Sequence, residues 1–269
     1  MVSTDTWFQS AVAELTDPQN QRVWSIIVSL FGDLAQEPGS QISGGALTRI
    51  IEPIGVKPEA IRVALHRLRK DGWIESDRIG RVSRHFLTDF GRTQSIAVSP
   101  RIYAQIPKPI SHWHLLIAEE GSGTPLLEDM MLSNDYTPIS RTVALGPGPV
   151  PERTDGLLAF EVTARSVPEW VQQSLCSTDL RSSCRELMVS AQRTARTRPA
   201  AWRPTPTESA TLRLLLVHRW RRVVLRQPDL PPEFFPPDWT GAECRRAVFQ
   251  LLEGLPRPTL DTLNETEEP

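Results

Sequence analysis

Residues 57–92, KPEAIRVALHRLRKDGWIESDRIGRVSRHFLTDFGR, leave the chain few choices of fold. Pro58 suits the first position of a helix, where its missing N–H has no partner to lose. Ile61, Ala64, Leu65 and Leu68 follow at i, i+3, i+4 and i+7, one apolar helical stripe. Gly72 stands where a left-handed residue ends a helix. The outward side carries Lys57, Arg62, His66, Arg67, Arg69 and Lys70. Beyond Gly72 the period changes: WIESD and VSRHFL alternate around the glycine turn of RIGR, the pattern of a β-hairpin. Arg78, Arg81, Arg84 and His85 fall on its tip and return strand, and Thr88 caps a further helix, TDFGRTQSIAVSPRIYA.

Upstream, RVWSIIVSLFGDLA (22–35) is apolar on most faces, as in a helix buried at the centre of a small domain. In QISGGALTRIIEPIG, Ser43 is an N-cap candidate and Leu47, Ile50, Ile51 and Ile54 form a second stripe. Pro53 keeps that helix short, with its end near Gly55. Helix, helix, helix and basic hairpin make a winged helix-turn-helix. Residues 44–92 hold ten Lys or Arg against six Asp or Glu, a local net of +4 in a chain whose total is −2. Positive charge is thus partitioned onto one helix and one hairpin. Phosphates need cations for affinity, and base edges need a helix that fits the major groove. Arg62, His66 and Arg67 are the groove candidates, with Arg78, Arg81 and Arg84 for phosphate or minor groove. Lys57, Arg69 and Lys70 complete the expected DNA-binding set. The plainer alternatives are a solvated basic face or a protein-docking module.

With 269 residues, 39% hydrophobic and 23% charged, the chain has apolar material for two or three cores. Cys176, Cys184 and Cys244 are odd in number and lack a CxxC pair, which fits a reducing compartment better than a disulfide framework. The N-terminus MVSTDTWFQSAVAEL has no basic segment followed by a long apolar run, and no window reaches the ~20 apolar residues of a membrane span. These features suggest a cytoplasmic protein with no membrane partner.

HWHLLIAEE (112–120) opens a new domain as a strand, after the proline-containing QIPKPIS. Leu126, Leu127, Met130 and Met131 sit at helical spacing. YTPISRTVALG and GLLAFEVTA suggest two further strands joined by a PGPVPERTD loop, and helices follow from VPEWVQQSL to CRELMVSAQRT. The order β-α-β-β-α fits a small split-sheet α+β domain. His112 and His114, two apart on a strand, share a face and can supply two metal ligands, yet no third of suitable spacing is visible. Nuclease chemistry needs clustered acids around a divalent ion. Glu119, Glu120, Glu128, Asp129 and Asp135 lie at a strand end and on a helix, as solvated acids do. No P-loop, GxSxG or GxGxxG occurs. No catalytic residue, metal or cofactor is assigned, and the chain is not expected to be an enzyme.

The strings SLFGD, RLRKDGW with its following RIGR, RIYA, and HRWRRVVLRQPDLP near the C-terminus together resemble the PaaX family of transcriptional repressors of phenylacetate catabolism. That resemblance touches both ends, roughly half the chain. It implies an α+β architecture of three parts: an N-terminal winged helix (20–92), a central ferredoxin-like domain similar to Cas2 (112–198) and a C-terminal helical domain (199–269), with 93–111 as linker helix and linker. It also implies a homodimer on a pseudo-palindromic operator, released when a CoA thioester such as phenylacetyl-CoA binds. The family's glycine-tryptophan motif is replaced by PISHWHLLIAEE, where only Trp113 and the following strand correspond. A CoA thioester needs cations for its phosphates and an apolar, aromatic-lined slot for its acyl group. The segment TESATLRLLLVHRWRRVVLRQ, together with Arg193, Arg196, Arg198, Trp202 and Arg203 upstream, offers both, so Arg203, His218, Arg219, Trp220, Arg221 and Arg222 are the effector candidates. Arginines that stitch the helix to acidic loops are the competing expectation. A metal-dependent nuclease, or an acyl-CoA-processing enzyme tethered by a winged helix, is the alternative function.

Overall fold

A computed structural model describes residues 4–20, 22–107, 110, 112–121, 123–131, 136–154, 156–163 and 166–265. It is a mixed α+β protein of two compact units. One comprises Met1–Gln105, Cys184–Leu225 and Gly241–Pro269, the other Ile106–Ser183 and Arg226–Thr240. Among the described residues no helix is long and apolar enough to cross a membrane.

The first unit begins with α1 (Thr4–Leu15) and α2 (Val23–Leu34). Strand β1 (Ile42–Ser43) leads into α3 (Gly44–Ile51), where the Ser43 hydroxyl accepts the Ala46 N–H at 3.1 Å. Helix α4 (Pro58–Lys70) starts on its proline and buries Ile61, Ala64, Leu65 and Leu68, the stripe legible in the sequence. Gly72 ends the turn after it at φ 72°, and Gly80 makes the hairpin tip at φ 61°, both in the left-handed region that a side chain disfavours. Strands β2 (Ile74–Ile79) and β3 (Val82–Leu87) pair antiparallel, and β1 adds to β3, giving the order β1-β3-β2. Thr88 then caps α5 (Asp89–Tyr103) by accepting from Gly91 N–H at 3.0 Å.

The second unit is a four-stranded antiparallel sheet in the order β5-β6-β4-β7. Its elements are β4 (Trp113–Ile117), α6 (Thr124–Met131), β5 (Thr137–Ser140), β6 (Val143–Pro147), β7 (Leu158–Val162) and α7 (Glu169–Leu175). Alternation along β4 sends Leu116 and, past the strand, Ala118 into a core with Leu127 of α6, Ala144 and Leu157. YTPISRTVALG is not the single strand expected but a tight hairpin, β5 and β6 turning at Arg141 and Thr142. The alternation is interrupted by an irregularity between Pro138 and Ser140.

The C-terminal helices do not form a domain of their own over 199–269. Helix α8 (Thr178–Thr197) joins the first unit from Cys184 on, followed by α9 (Pro206–Val224), α10 (Gly241–Glu253) and α11 (Leu260–Glu265). Helix α9 is the axis of that unit, in contact with α1, α2, α3, α5 and α10. It begins with a full capping box between Thr205 and Glu208. Helix α5 also belongs here rather than to a linker: the Trp220 indole N–H donates to Ile102 O at 2.8 Å and the Arg101 guanidinium to Val224 O at 3.2 Å. Helix α1, which the sequence pattern did not announce, buries Trp7 edge-on against Trp202 at 4.4 Å. Asn264 of α11 brackets β1, accepting from Ser43 N–H at 2.9 Å and donating to Gln41 O at 3.0 Å. The three cysteines are buried as thiols.

Candidate nucleic-acid interface

Helix α4 is bound by one face and free on the other. Its buried stripe packs on α2 and β2, and Glu59, Arg62, Val63, His66 and Lys70 run along the outward ridge at helical spacing, all exposed. Lys57 stands exposed at the N-cap. Arg67 lies on one flank, its guanidinium 5.5 Å from the centre of the Trp24 ring and paired with Asp71 at 3.4 Å. Arg69 lies on the flank toward the hairpin and donates to Ser76 Oγ at 3.3 Å. Arg62 pairs with Glu59 at 2.8 Å, with both side chains 71% exposed. Exposed pairs of this kind contribute about 0–1 kcal/mol, so an incoming phosphate displaces the carboxylate at little cost.

The hairpin is held to this helix through a polar chain. Arg69 donates to the Ser76 hydroxyl, which lies 2.7 Å from His85 Nδ1 on the neighbouring strand. His85 is buried beneath the sheet opposite Ile42. Burial, and secondarily the Arg69 charge, push its pKa down to about 4. It is a neutral strut, not a cation offered to a ligand.

The three hairpin arginines do not share a face. Arg78 pairs with Ser83 and Arg84 with Asp77, and neighbouring cross-strand pairs point to opposite sides of the sheet. Arg78 and Arg81 are exposed at the tip, with Arg78 Nε donating to Gly80 O at 3.2 Å. Arg84 is half-buried between Asp77 and the Ser43 position of β1. The cluster able to meet an anion surface together is therefore Lys57, Arg62, His66, Arg67, Arg69 and Lys70 of α4 plus Arg78 and Arg81.

One residue of this surface was missed by the search for charge. Val63 is 70% exposed in the middle of the ridge. A β-branched residue is a middling helix former, and here it contributes nothing to the core. The signal was present in the sequence as a valine one position off the apolar stripe.

The six residues expected to bind an effector meet different surroundings. Trp220 is fully buried, and Arg245 lies over its ring at 4.9 Å. His218 is buried 3.0 Å from Ser29 Oγ. Arg219 points to the C-terminal end of α1, donating to Leu15 O at 3.3 Å, and Arg222 pairs with Asp17 at 2.9 Å. Arg221 borders a cleft of about 20 Å³, space for a water molecule and not for an acyl group. Arg203 turns back on its own loop, donating to Ala200 O and Trp202 O. The arginines here stitch the unit together, because a helix enclosed on all sides must satisfy its polar groups internally.

The open cavity lies in the second unit. It has a volume of about 530 Å³ and is bounded by the sheet face of Trp113, Leu115, Leu145 and Val162, with Val171 of α7 and Phe234. On the other face of this sheet, His114 Nδ1–H donates to Gly148 O at 3.1 Å, since a carbonyl can only accept. Nε2 is left to accept from the Tyr136 hydroxyl at 3.4 Å. Both ring nitrogens are occupied, and His112 is exposed. Among the described residues no three His, Cys, Asp or Glu side chains gather as metal ligands; Asp135 lies outside the described residues.

Residues 22–91 match the family described as PaaX-like protein, and residues 178–264 match the PaaX-like protein C-terminal domain. The chain belongs to the PaaX-like protein family. All of it aligns, at 28% identity over 289 positions, with 90% of the transcriptional repressor PaaX of Escherichia coli K12. In fold, the PaaX-like chain is similar to the uncharacterized protein Rv0674 from Mycobacterium tuberculosis. That likeness has a TM-score of 0.54 at 17% identity and covers 91% of this chain and 98% of that one. The two PaaX-like matches bracket the second unit's sheet, and the first contains every residue of the cationic surface.

Proposed function

We propose that this PaaX-like chain is a DNA-binding transcriptional repressor, not an enzyme, acting in the cytoplasm on an operon for aromatic acid catabolism. In this reading α3 and α4 are a helix-turn-helix, α4 enters the major groove, and β2–β3 is the wing. The observation that carries it is the concentration of exposed cations on α4 and the hairpin tip of a chain with net charge −2. The relative named as a repressor aligns across that whole surface. Arg62 and His66 reach base edges, while Lys57, Arg67, Arg69, Lys70, Arg78 and Arg81 neutralise phosphates. Two copies on half-sites about one helical turn apart supply the specificity that one lacks.

The second unit we take as a ferredoxin-like sensor. Its strands stand in the order last, first, third, second, as that fold requires, although α7 follows β7 instead of preceding it. The cavity fits the acyl part of a CoA thioester such as phenylacetyl-CoA: its volume lies within the roughly 300–1,000 Å³ of small-molecule sites and its walls are apolar and aromatic. Among the described residues, Glu233 is the one charged residue lining it, so the phosphates of such a ligand extend beyond it. Release follows if the thioester binds the DNA-free arrangement better than the DNA-bound one.

Fluorescence anisotropy with duplexes tiling the promoter of its own gene tests the first claim. A complex at low salt that weakens steeply as salt rises is expected, and no complex at any salt overturns the repressor reading. A thermal-shift panel of CoA thioesters tests the second, with Val171→Trp expected to abolish the response by filling the cavity while DNA binding persists.

A further inference from the structure

Helix α9 carries four arginines, and three of them face carboxylates. Arg213 meets Asp33 at 2.9 Å and Arg222 meets Asp17 at 2.9 Å, while Asp17 and Glu186 support the charge of Arg219. Arg221 departs from this pattern. It is half-buried and burial pushes its pKa down; among the described residues the one group acting against that effect is the Tyr103 phenol. Burial, and then the Asp33 carboxylate, push the Tyr103 pKa up, and its hydroxyl donates to Asp33 Oδ1 at 2.8 Å. Tyr103 is therefore neutral near pH 7 and brings no negative charge to Arg221.

The cleft of about 20 Å³ beside Arg221 lies where α2, α5 and α9 converge on Trp73, and among the described residues no carboxylate lines it. Ser29 and Ser99 border it, but their hydroxyls already donate to Ser25 O at 3.0 Å and Ser95 O at 2.8 Å. The polar side chains left to the cleft are the Arg221 guanidinium, the Gln94 amide and the Ser95 hydroxyl. Ser95 is 6% exposed, and its Oγ has no hydrogen-bond partner among the described residues. A buried hydroxyl in that condition calls for a ligand or an ordered water.

Gly32 supplies an independent sign. It stands in the last turn of α2 and lines the cleft, and a Cβ added there would meet no atom within 4 Å. Glycine weakens a helix relative to alanine, and neither a close neighbour nor a left-handed φ requires it at this position. What glycine does at 32 is keep the cleft open.

We infer that this cleft is a binding site for one small monovalent anion of the size of chloride, held by the Arg221 guanidinium with the Ser95 hydroxyl and Gln94 amide as further donors. The volume admits one water-sized particle, which excludes a phosphate group or an organic acid. Water satisfies the donors and leaves the Arg221 charge uncompensated in surroundings that disfavour it; a halide does both. The bound ion ties α2, α5 and α9 to Trp73, which accepts from Thr88 N–H at 3.1 Å and donates to Leu68 O at 2.9 Å at the root of the hairpin. The site stands independently of the DNA and effector readings.

Thermal unfolding of the full chain in sodium chloride against sodium gluconate, at matched ionic strength, tests it. Chloride should raise the midpoint saturably, by about 2–4 °C at several times its Kd. Arg221→Gln, which removes the charge, should abolish that response. Gly32→Val, which fills the cleft and leaves Arg221 in place, should abolish it too. A crystal of the parent soaked in sodium bromide gives a reading that needs no variant to fold, with an anomalous peak expected in the cleft beside the guanidinium. If solvent at the mouth of the cleft hydrates Arg221 instead, the midpoint is indifferent to the choice of anion. That indifference, a chloride response that persists in either variant, or a bromide-soaked crystal without an ion in the cleft overturns the proposal.

Discussion

Helices α4 and α9 look alike as strings, each an aliphatic run studded with arginine, and they live in opposite environments. Every arginine of α4 is exposed and at most loosely paired. In α9, Arg213 is buried, donating Nε to Asp33 Oδ2 at 2.9 Å, Nη2 to Asp33 Oδ1 at 2.8 Å and Nη1 to Leu255 O at 2.9 Å. The Tyr103 hydroxyl completes the site at 2.8 Å from Asp33 Oδ1, and burial pushes its pKa up. The difference lies in the rest of the sequence. Helix α4 has one apolar stripe, whereas α9 places apolar residues all round, from Ala210 through Leu212, Leu214, Leu215, Leu216 and Val217 to Trp220. A charge on a one-striped helix has water to point at; on an enclosed helix it must find a fixed partner. Counting arginines cannot separate the two cases, but counting apolar faces can.

The comparison breaks most visibly at Asp33. Asp33→Ala strands the Arg213 charge in the core and should cost about 3–5 kcal/mol in urea unfolding. Arg62→Ala on α4 should change stability by less than about 0.5 kcal/mol. Equal effects would mean that the buried pair is solvated in practice. For DNA the ranking reverses. Arg62→Ala should weaken binding and relax specificity at one base position, whereas Arg67→Ala should lower the slope of log affinity against log salt by about 0.9, one phosphate contact. Arg78→Ala and Arg81→Ala at the hairpin tip should do the same. Arg84→Ala, on the opposite face from Arg78, should leave the slope unchanged.

The hairpin's own strut gives a pH signature lying between the two helices. Folded His85 resists protonation until about pH 4, while an unfolded histidine takes a proton near pH 6.5. Between those values the unfolded chain binds more protons, so the His85 contribution is complete above pH 6.5 and is lost progressively as pH falls toward 4. Unfolding midpoints measured across that window should flatten in His85→Gln relative to the parent. An unchanged pH dependence would remove the neutral histidine from the account.

Much of the first unit was legible because local signals agree with one another there: the Ser43 cap, the Pro58 start, the Gly72 stop and the change of period into the hairpin. The rest depended on contacts distant in sequence. Helix α1 is held by Trp202 and α9, some 200 residues away, and nothing within it states that partner. The β5–β6 hairpin turns on Arg141 and Thr142, which lack the glycine or asparagine that advertises such a turn. The separation of Arg78 from Arg84 follows from strand parity, which composition does not see. The effector candidates of α9 have surroundings that the sequence reading did not anticipate, for the reason that distinguishes α9 from α4: charge was counted without asking what covered it.

The smallest expected effect is the most specific. Val63 stands on the α4 ridge next to Arg62 and one turn from His66 and Arg67, where a groove-bound helix presents side chains to base edges. The thymine C5-methyl is the apolar group in the major groove, and a valine methyl against it removes both from water. A single buried methyl is worth about 0.8 kcal/mol. Replacing thymine by uracil one position at a time in a bound operator should therefore weaken the parent about fourfold at one position per half-site. Val63→Ala should bind the thymine and uracil duplexes equally at that position, with its salt slope unchanged. If no thymine position is coupled to Val63 while the arginine variants behave as expected, α4 grips the duplex through its backbone and reads bases from another residue.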